Sequence, residues 1–240
     1  MKSTVEEIRQ RFDNEVDRFS NLQTGQSATV DAPLALELIA TAAAATNPHA
    51  KRLLDIGCGA GNYTLKLLQR LPNLDVTLID LSRPMLDKAQ ERIRAVSTGS
   101  IRAIQADMRD VEFGDSAFDI IVASATLHHL RSDDQWHAMF AKIHRALVPG
   151  GSLWIFDLID YHLPHIRAAM KQRYAHYLDA LKGPAYRQEV FAYVEKEDTP
   201  KPLVFQLELL RTVGFRTVEV LHVNTCFAAF GAVNSPPSAR

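Results

Sequence analysis

Between positions 52 and 157 the chain alternates short apolar runs with longer amphipathic stretches, and this alternation restricts the fold more than any other feature. The runs 52–56, 75–79, 101–106, 118–123 and 152–157 have strand length and are rich in Ile, Val, Leu and Ala. Between them, 63–71, 82–96 and the segment carrying Trp136, Met139, Phe140, Ile143 and Leu147 space their apolar residues as helices do. Ser82 and Pro84 supply a cap and an early proline for the second of these helices. Strands separated by helices join by crossovers, so they pair in parallel and need helices on both faces. After Asp160 the pattern changes. Residues 163–181 read as a helix, 184–200 have no clear period, and 203–213 form a helix closed by Gly214. Residues 215–223 and 225–233 read as strands joined by a tight turn at Asn224, an antiparallel hairpin. At the other end, Val5, Ile8, Phe12, Val16 and Phe19 predict one helix over 2–19, a polar connection holds Gly25, and Asp31-Ala-Pro33 predicts a helix capped by Asp31. The expected fold is one α/β domain with a seven-stranded, mostly parallel sheet ending in an antiparallel hairpin.

Charge narrows the partners. The chain has 240 residues, with 27 Lys+Arg against 28 Asp+Glu for a net −1, which argues against an extended nucleic-acid interface or an anionic membrane surface held by bulk charge. The longest apolar stretch, 32–45, is interrupted by Pro33 and Glu37, and residues 1–19 mix both charges with no apolar leader. Two distant cysteines, Cys58 and Cys226, build neither a disulfide framework nor a cysteine-rich zinc site. A cytoplasmic protein, monomer or homodimer, is expected. His162 and His165 flank Pro164 with no carboxylate or thiol at matching spacing, so no metal site is expected.

The chemistry concentrates in Leu53-Leu-Asp-Ile-Gly57-Cys-Gly59-Ala-Gly61. A strand that ends in three alternate glycines and runs into a helix brings backbone and free helix N-terminal amides close to a ligand. Asp80, at the end of the second strand, falls where a carboxylate accepts from ribose hydroxyls. Asp107 follows the third strand. A nicotinamide-binding turn has its third glycine one position later, where this chain has Asn62.

Over residues 50–160 these features resemble the class I S-adenosylmethionine (SAM)-dependent methyltransferases, whose fold is Rossmann-like. D-I-G-C-G-A-G resembles the first motif, Asp80 the ribose-binding acid, Asp107-Met108 the adenine-contacting pair, and Leu147-Val-Pro-Gly150-Gly151 the turn into the fifth strand. The resemblance implies SAM as cofactor and S-adenosylhomocysteine as product. It implies cofactor contacts from Asp55, Gly57, Cys58, Gly59, Gly61, Asp80, Leu81, Asp107, Met108, Ser124 and Gln26. Asp55 would hold the SAM amino group, and Cys58 reads as a packing residue rather than a nucleophile.

The acceptor half of the site falls after the fourth strand, in Ser124-Ala-Thr-Leu127-His128-His129. The Asn/Asp-Pro-Pro-aromatic tetrapeptide of base N-methyltransferases is absent there, as is a nucleophilic cysteine, and the wording resembles small-molecule O- and C-methyltransferases. His128 and His129 are the candidate general bases. Residues 161–240 carry 10 basic against 7 acidic residues, and 161–193 interleave cations with aromatics. Arg173, Tyr177 and Arg187 are the candidates for meeting a small-molecule acceptor, an anionic one in particular. The resulting plan is a helical N-terminal segment and lid over 1–48, a SAM-binding core over 49–160, a helical insertion and lid over 161–205, a helix end and hairpin over 206–234, and a disordered tail over 235–240.

The whole chain also resembles the carboxy-SAM synthase group linked to tRNA wobble-uridine modification. The matches are Phe12-Asp-Asn-Glu-Val16, Gly25-Gln-Ser27, Thr126-Leu127 and Leu210 to Phe215. Where that group has a tyrosine, an asparagine and a carboxylate-binding arginine, this chain has Gln26, Ser124 and Phe191, with Arg187 nearby. Ordinary SAM is therefore the expected donor. Carboxy-SAM synthesis and a non-catalytic SAM-binding role are the alternatives.

Overall fold

The computed structural model describes residues 2–21 and 26–234. Gly25 of the predicted connection and the predicted tail 235–240 lie outside the described residues. The sheet contains β1 (Arg52–Ile56), β2 (Asp75–Asp80), β3 (Ile101–Gln105), β4 (Phe118–Ser124), β5 (Leu147–Leu158), β6 (Thr217–Asn224) and β7 (Phe227–Val233). Their order is β3-β2-β1-β4-β5-β7-β6, with β7 antiparallel to both neighbours and every other pair parallel. The chain winds outward from β1 through β2 to β3, then returns to place β4 on the other side of β1. That reversal opens a crevice at the carboxyl ends of β1 and β4, where ligands of open α/β sheets bind.

Side chains alternate between two apolar layers, as the two-residue period of a strand requires. Leu53, Ile120, Val122, Trp154 and Phe156 pack on one face, against α3 (Ala32–Thr46), α4 (Asn62–Leu68) and α5 (Arg83–Arg94). Leu54, Ile121, Ala123, Leu153 and Ile155 pack on the other, against α6 (Asp133–Ala146) and α9 (Leu203–Thr212). Helices thus cover both faces, as the sequence implied.

Four local expectations change. The helix predicted over 2–19 is two helices, α1 (Val5–Asp13) and α2 (Val16–Ser20), because the chain leaves helical geometry at Glu15. The segment without clear period is α8 (Pro184–Glu197), which follows α7 (Pro164–Lys182) across Gly183. The hairpin turn is Thr225-Cys226, since Asn224 still pairs with Phe227 and Thr225 takes φ +52°. Asp31 does not cap α3. It sits at φ +59°, and its carboxylate instead accepts from His222 Nε2 and Asn224 Nδ2, both at 2.8 Å. Asp31→Ala should therefore leave the start of α3 in place and loosen the β6 end of the hairpin. The expected loss is about 1 kcal/mol, read by chemical denaturation.

Candidate functional site

The glycine turn is shaped by φ angles that only glycine takes cheaply: +66° at Gly57, +50° at Gly59 and +81° at Gly61, from which α4 begins. The amides of Gly57 and Cys58 donate to Ile79 O at 2.8 and 3.0 Å, tying the turn to the end of β2. Asp80 closes the arrangement, one carboxylate oxygen accepting from Gly59 N at 2.8 Å and the other from Ser82 N at 2.9 Å. Burial pushes the Asp80 carboxyl up to about 6, against the pull of these amides. Asp55 is buried beneath the turn and accepts from Thr64 Oγ1 at 2.6 Å. Burial pushes its carboxyl up to about 7, Thr64 opposing and the Asp80 charge adding. Burial likewise raises the Cys58 thiol, which keeps it protonated.

Two adjoining hollows of about 220 and 100 Å³ follow the carboxyl ends of β1 to β3. Between them they are lined by most of the predicted cofactor set: Asp55, Gly57, Cys58, Gly59, Asp80, Leu81, Asp107, Met108, Ser124 and Gln26. Gly61 serves the turn and stands behind it, facing Ala89. Asp107 is clasped by Arg109, at 2.9 Å from both N and Nε, which holds its carboxyl low despite burial.

A larger cavity of about 600 Å³ lies beyond β4, under α1, α2, α7 and α8. Phe12, Phe19, Tyr174, Tyr186 and Tyr193 give it aromatic walls, and Arg11, Arg18, Lys182, Glu15 and Glu189 give it charge. Arg11 lies 4.2 Å from the Phe12 ring centre and 4.5 Å from that of Tyr193, and donates to Glu197 at 2.6 and 3.1 Å. This welds the N-terminal helix to the end of α8.

His129 lines all three spaces, and no other described residue does. Its placement follows from the end of β4, where Ala125 takes φ +50° and the chain enters a short 3₁₀ turn, Leu127–His129. Asp157, buried at the end of β5, organises that turn by accepting from Leu127 N at 2.8 Å, His128 N at 3.3 Å and His128 Nδ1. Burial lowers the affinity of His128 for a proton, but the charges of Asp157 and Asp198 outweigh it and raise the ring to about 9. Burial and the neighbouring His128 and Arg11 hold His129 well below the ordinary range. Neither ring nitrogen of His129 makes a well-formed hydrogen bond, and the Glu197 backbone beside it only weakly opposes that lowering.

Three predicted substrate residues do not line the cavity, and the reason is which face of α7 and α8 turns inward. Tyr174 is buried while Arg173 is exposed, Tyr177 donates to Ser27 O at 2.7 Å, and Arg187 is paired with Asp179 at 3.1 Å. Arg11, Arg18 and Lys182 take the positions expected of those cations. Asp157 and Asp198 went unread in the sequence. A carboxylate at the end of a fifth strand was the available signal for the first, and nothing local marks the second.

Among known proteins, the family described as "Methyltransferase domain" matches residues 53–151. The chain is 31% identical over 150 residues to the malonyl-[acyl-carrier protein] O-methyltransferase of Paenibacillus sp. strain JDR-2, a match covering 61% of this chain and 52% of that protein. It is 31% identical over 211 residues to the carboxy-S-adenosyl-L-methionine synthase of Trichodesmium erythraeum, covering 85% of this chain and 81% of that protein. The solved structure of human N-acetylserotonin methyltransferase in complex with SAM superposes with a TM-score of 0.60 at 16% identity, over 94% of this chain and 57% of that one. The chain spans about half the length of the first curated relatives it matches. Among the described residues, no helix is long and apolar enough to cross a membrane.

Proposed function

The chain belongs to the class I S-adenosylmethionine-dependent methyltransferases, and from that membership we propose that it methylates an oxygen or carbon of a small molecule held in the aromatic cavity. One observation carries the reading: His129 lines both the glycine-turn hollows and a cavity of about 600 Å³, room enough for a small acceptor. SAM supplies an electrophilic methyl group on a sulfonium, so the protein's task is to align the acceptor in line with it and exclude water.

The residues present fit that cofactor. A Cβ added at Gly59 would meet nothing within 4 Å, which leaves backbone open to a ligand. Asp55 is a buried carboxylate lining the glycine-turn hollow, where an ammonium group would give it an opposite charge. Asp80 is placed for ribose hydroxyls, and Leu81 and Met108 for an apolar ring. His128 and His129 face the acceptor, with Asp157 fixing the turn that carries them.

The raised carboxyls give a test with a definite sign. A cation beside Asp55 lowers its pKa from about 7, and ribose hydroxyls donating to the carboxylate do the same for Asp80 from about 6. The bound state then holds fewer protons than the free state, so affinity for SAM should rise as pH increases through this window and level off above it. Titration calorimetry near about pH 6.5 in two buffers of different ionisation enthalpy should show proton release of up to about one per site. Equal heats in the two buffers would contradict the assignment of Asp55.

A second reading, carboxy-SAM synthesis, is favoured by the relative from Trichodesmium erythraeum. Against it, on the sequence resemblance Phe191 falls where that group has its carboxylate-binding arginine, and it packs on Tyr174 with ring centres 5.7 Å apart. Mass spectrometry of ligand retained on purification separates the two, because carboxy-SAM is heavier than SAM by a carboxylate.

A further inference from the structure

We propose that His128, His129 and Asp198 form a binding site for one divalent transition-metal ion, with Zn²⁺ best suited to the donors. Asp198 Oδ1 lies 3.5 Å from His128 Nε2 and 3.5 Å from His129 Nδ1, and ligand atoms of all three residues lie within 4.8 Å of one another. Metal bonds of about 2.1 Å at tetrahedral angles put ligand atoms about 3.4 Å apart. The two spacings to Asp198 are those of ligands around an ion.

Burial points the same way. Asp198 is 5% exposed, and neither its Oδ1 nor His129 Nδ1 makes a well-formed hydrogen bond. Buried polar atoms are rarely left so, and Asp198 Oδ1 and His129 Nδ1 face each other across 3.5 Å, where one shared partner would satisfy both. His128 adds a further feature of metal sites. Its Nδ1 is engaged by Asp157, which is anchored by the amides of Leu127, His128 and Leu158, so the opposite nitrogen, Nε2, faces Asp198 in a fixed orientation.

The ligands are also held from behind. Thr199 N donates to His128 O at 2.7 Å, Asp198 N donates to Val194 O at 2.9 Å, and Arg131 reaches Thr199 Oγ1 at 3.2 Å. The end of α8 is therefore fixed against the 3₁₀ turn before any ion arrives. Two imidazoles and one carboxylate leave coordination positions open, the arrangement of sites that bind a further ligand rather than of closed structural ones. All three residues line the 600 Å³ cavity, so an open position faces it. Given the methyltransferase reading, on which this last step rests, an oxygen of the acceptor takes that position. Ion binding itself does not depend on that reading.

The test uses the full chain, stripped with chelator and titrated without SAM. Zn²⁺ followed by calorimetry should bind at one equivalent, and Co²⁺ should develop the intense visible bands of a four- or five-coordinate site. Asp198→Asn and His129→Gln should each weaken binding by at least about tenfold, and Asp157→Asn by about 10- to 100-fold. A His162→Ala/His165→Ala double variant should bind as the parent does. The proposal is overturned if the parent chain leaves Co²⁺ with the pale spectrum of its hydrated ion, a result that needs no variant to fold. It is equally overturned if Asp198→Asn keeps full affinity, or if the double variant loses the ion. Since neither titration contains SAM, failure here leaves the methyltransferase reading intact.

Discussion

Asp80→Ala should lower the affinity for SAM by roughly 100-fold, because a buried carboxylate accepting from ligand hydroxyls contributes about 3 kcal/mol. The geometry makes the effect larger than that of an ordinary surface contact. Asp80 accepts from Gly59 N and Ser82 N, so one side chain fixes both the glycine turn and the start of α5. Removing it takes away the ribose contact and frees the backbone on which the methionine part would rest. Stability should change much less. The variant loses two backbone hydrogen bonds but also a carboxylate that burial disfavours, and the two effects oppose each other. Calorimetric titration of parent and variant, with thermal melts alongside, separates the terms. A variant that binds SAM as the parent does would remove Asp80 from the site.

The second large effect divides two neighbouring glycines. A Cβ at Gly57 would lie 2.3 Å from Thr126 Oγ1 and 2.6 Å from Thr126 Cβ, at a backbone φ of +66°. The left-handed conformation costs an alanine about 1–2 kcal/mol and the overlap about 1–3 more. Gly57→Ala should therefore lose about 2–5 kcal/mol in denaturant titration, summed from those two costs. Relief of the clash moves Thr126, which immediately precedes the 3₁₀ turn carrying His128 and His129, so the strain reaches the acceptor side. Gly59→Ala meets nothing within 4 Å, and only the conformational cost of about 1–2 kcal/mol applies. Its methyl group would instead stand in the space expected to receive the cofactor. Gly59→Ala should thus lose more in binding than in folding, the reverse of Gly57→Ala. Equal effects of the two substitutions on folding would contradict this account of the turn.

What the sequence reveals follows the range of the interactions involved. Strands β1 to β5, the glycine turn and Asp80 are legible because each is set by residues within a few positions, and their period or spacing carries the physics. His129 was legible as chemistry at the end of a strand. Its position at the meeting of three spaces was not, because that depends on α1, α2 and α8 folding over the sheet. Helix α8 shows the limit most clearly. Tyr186, Val190, Phe191 and Val194 pack on the core only half-buried, Glu197 alone is buried along it, and what matters is the Glu197-Asp198 pair at its end. Those carboxylates meet Arg11 and the two histidines, from distant parts of the chain. Arg173, Tyr177 and Arg187 were drawn from the right segment but not from its inward face. In α7 aromatics and cations occur around the helix, and packing by Tyr174 and Leu178 decides the orientation.

The most direct test of the central claim is a crystal structure of the chain with S-adenosylhomocysteine. The methionine part should lie against Gly57 and Gly59, the ribose at Asp80, the adenine beside Leu81 and Met108, and the sulfur should turn toward His129 and the aromatic cavity. A product molecule bound elsewhere, or one whose sulfur faces away from that cavity, would contradict that claim.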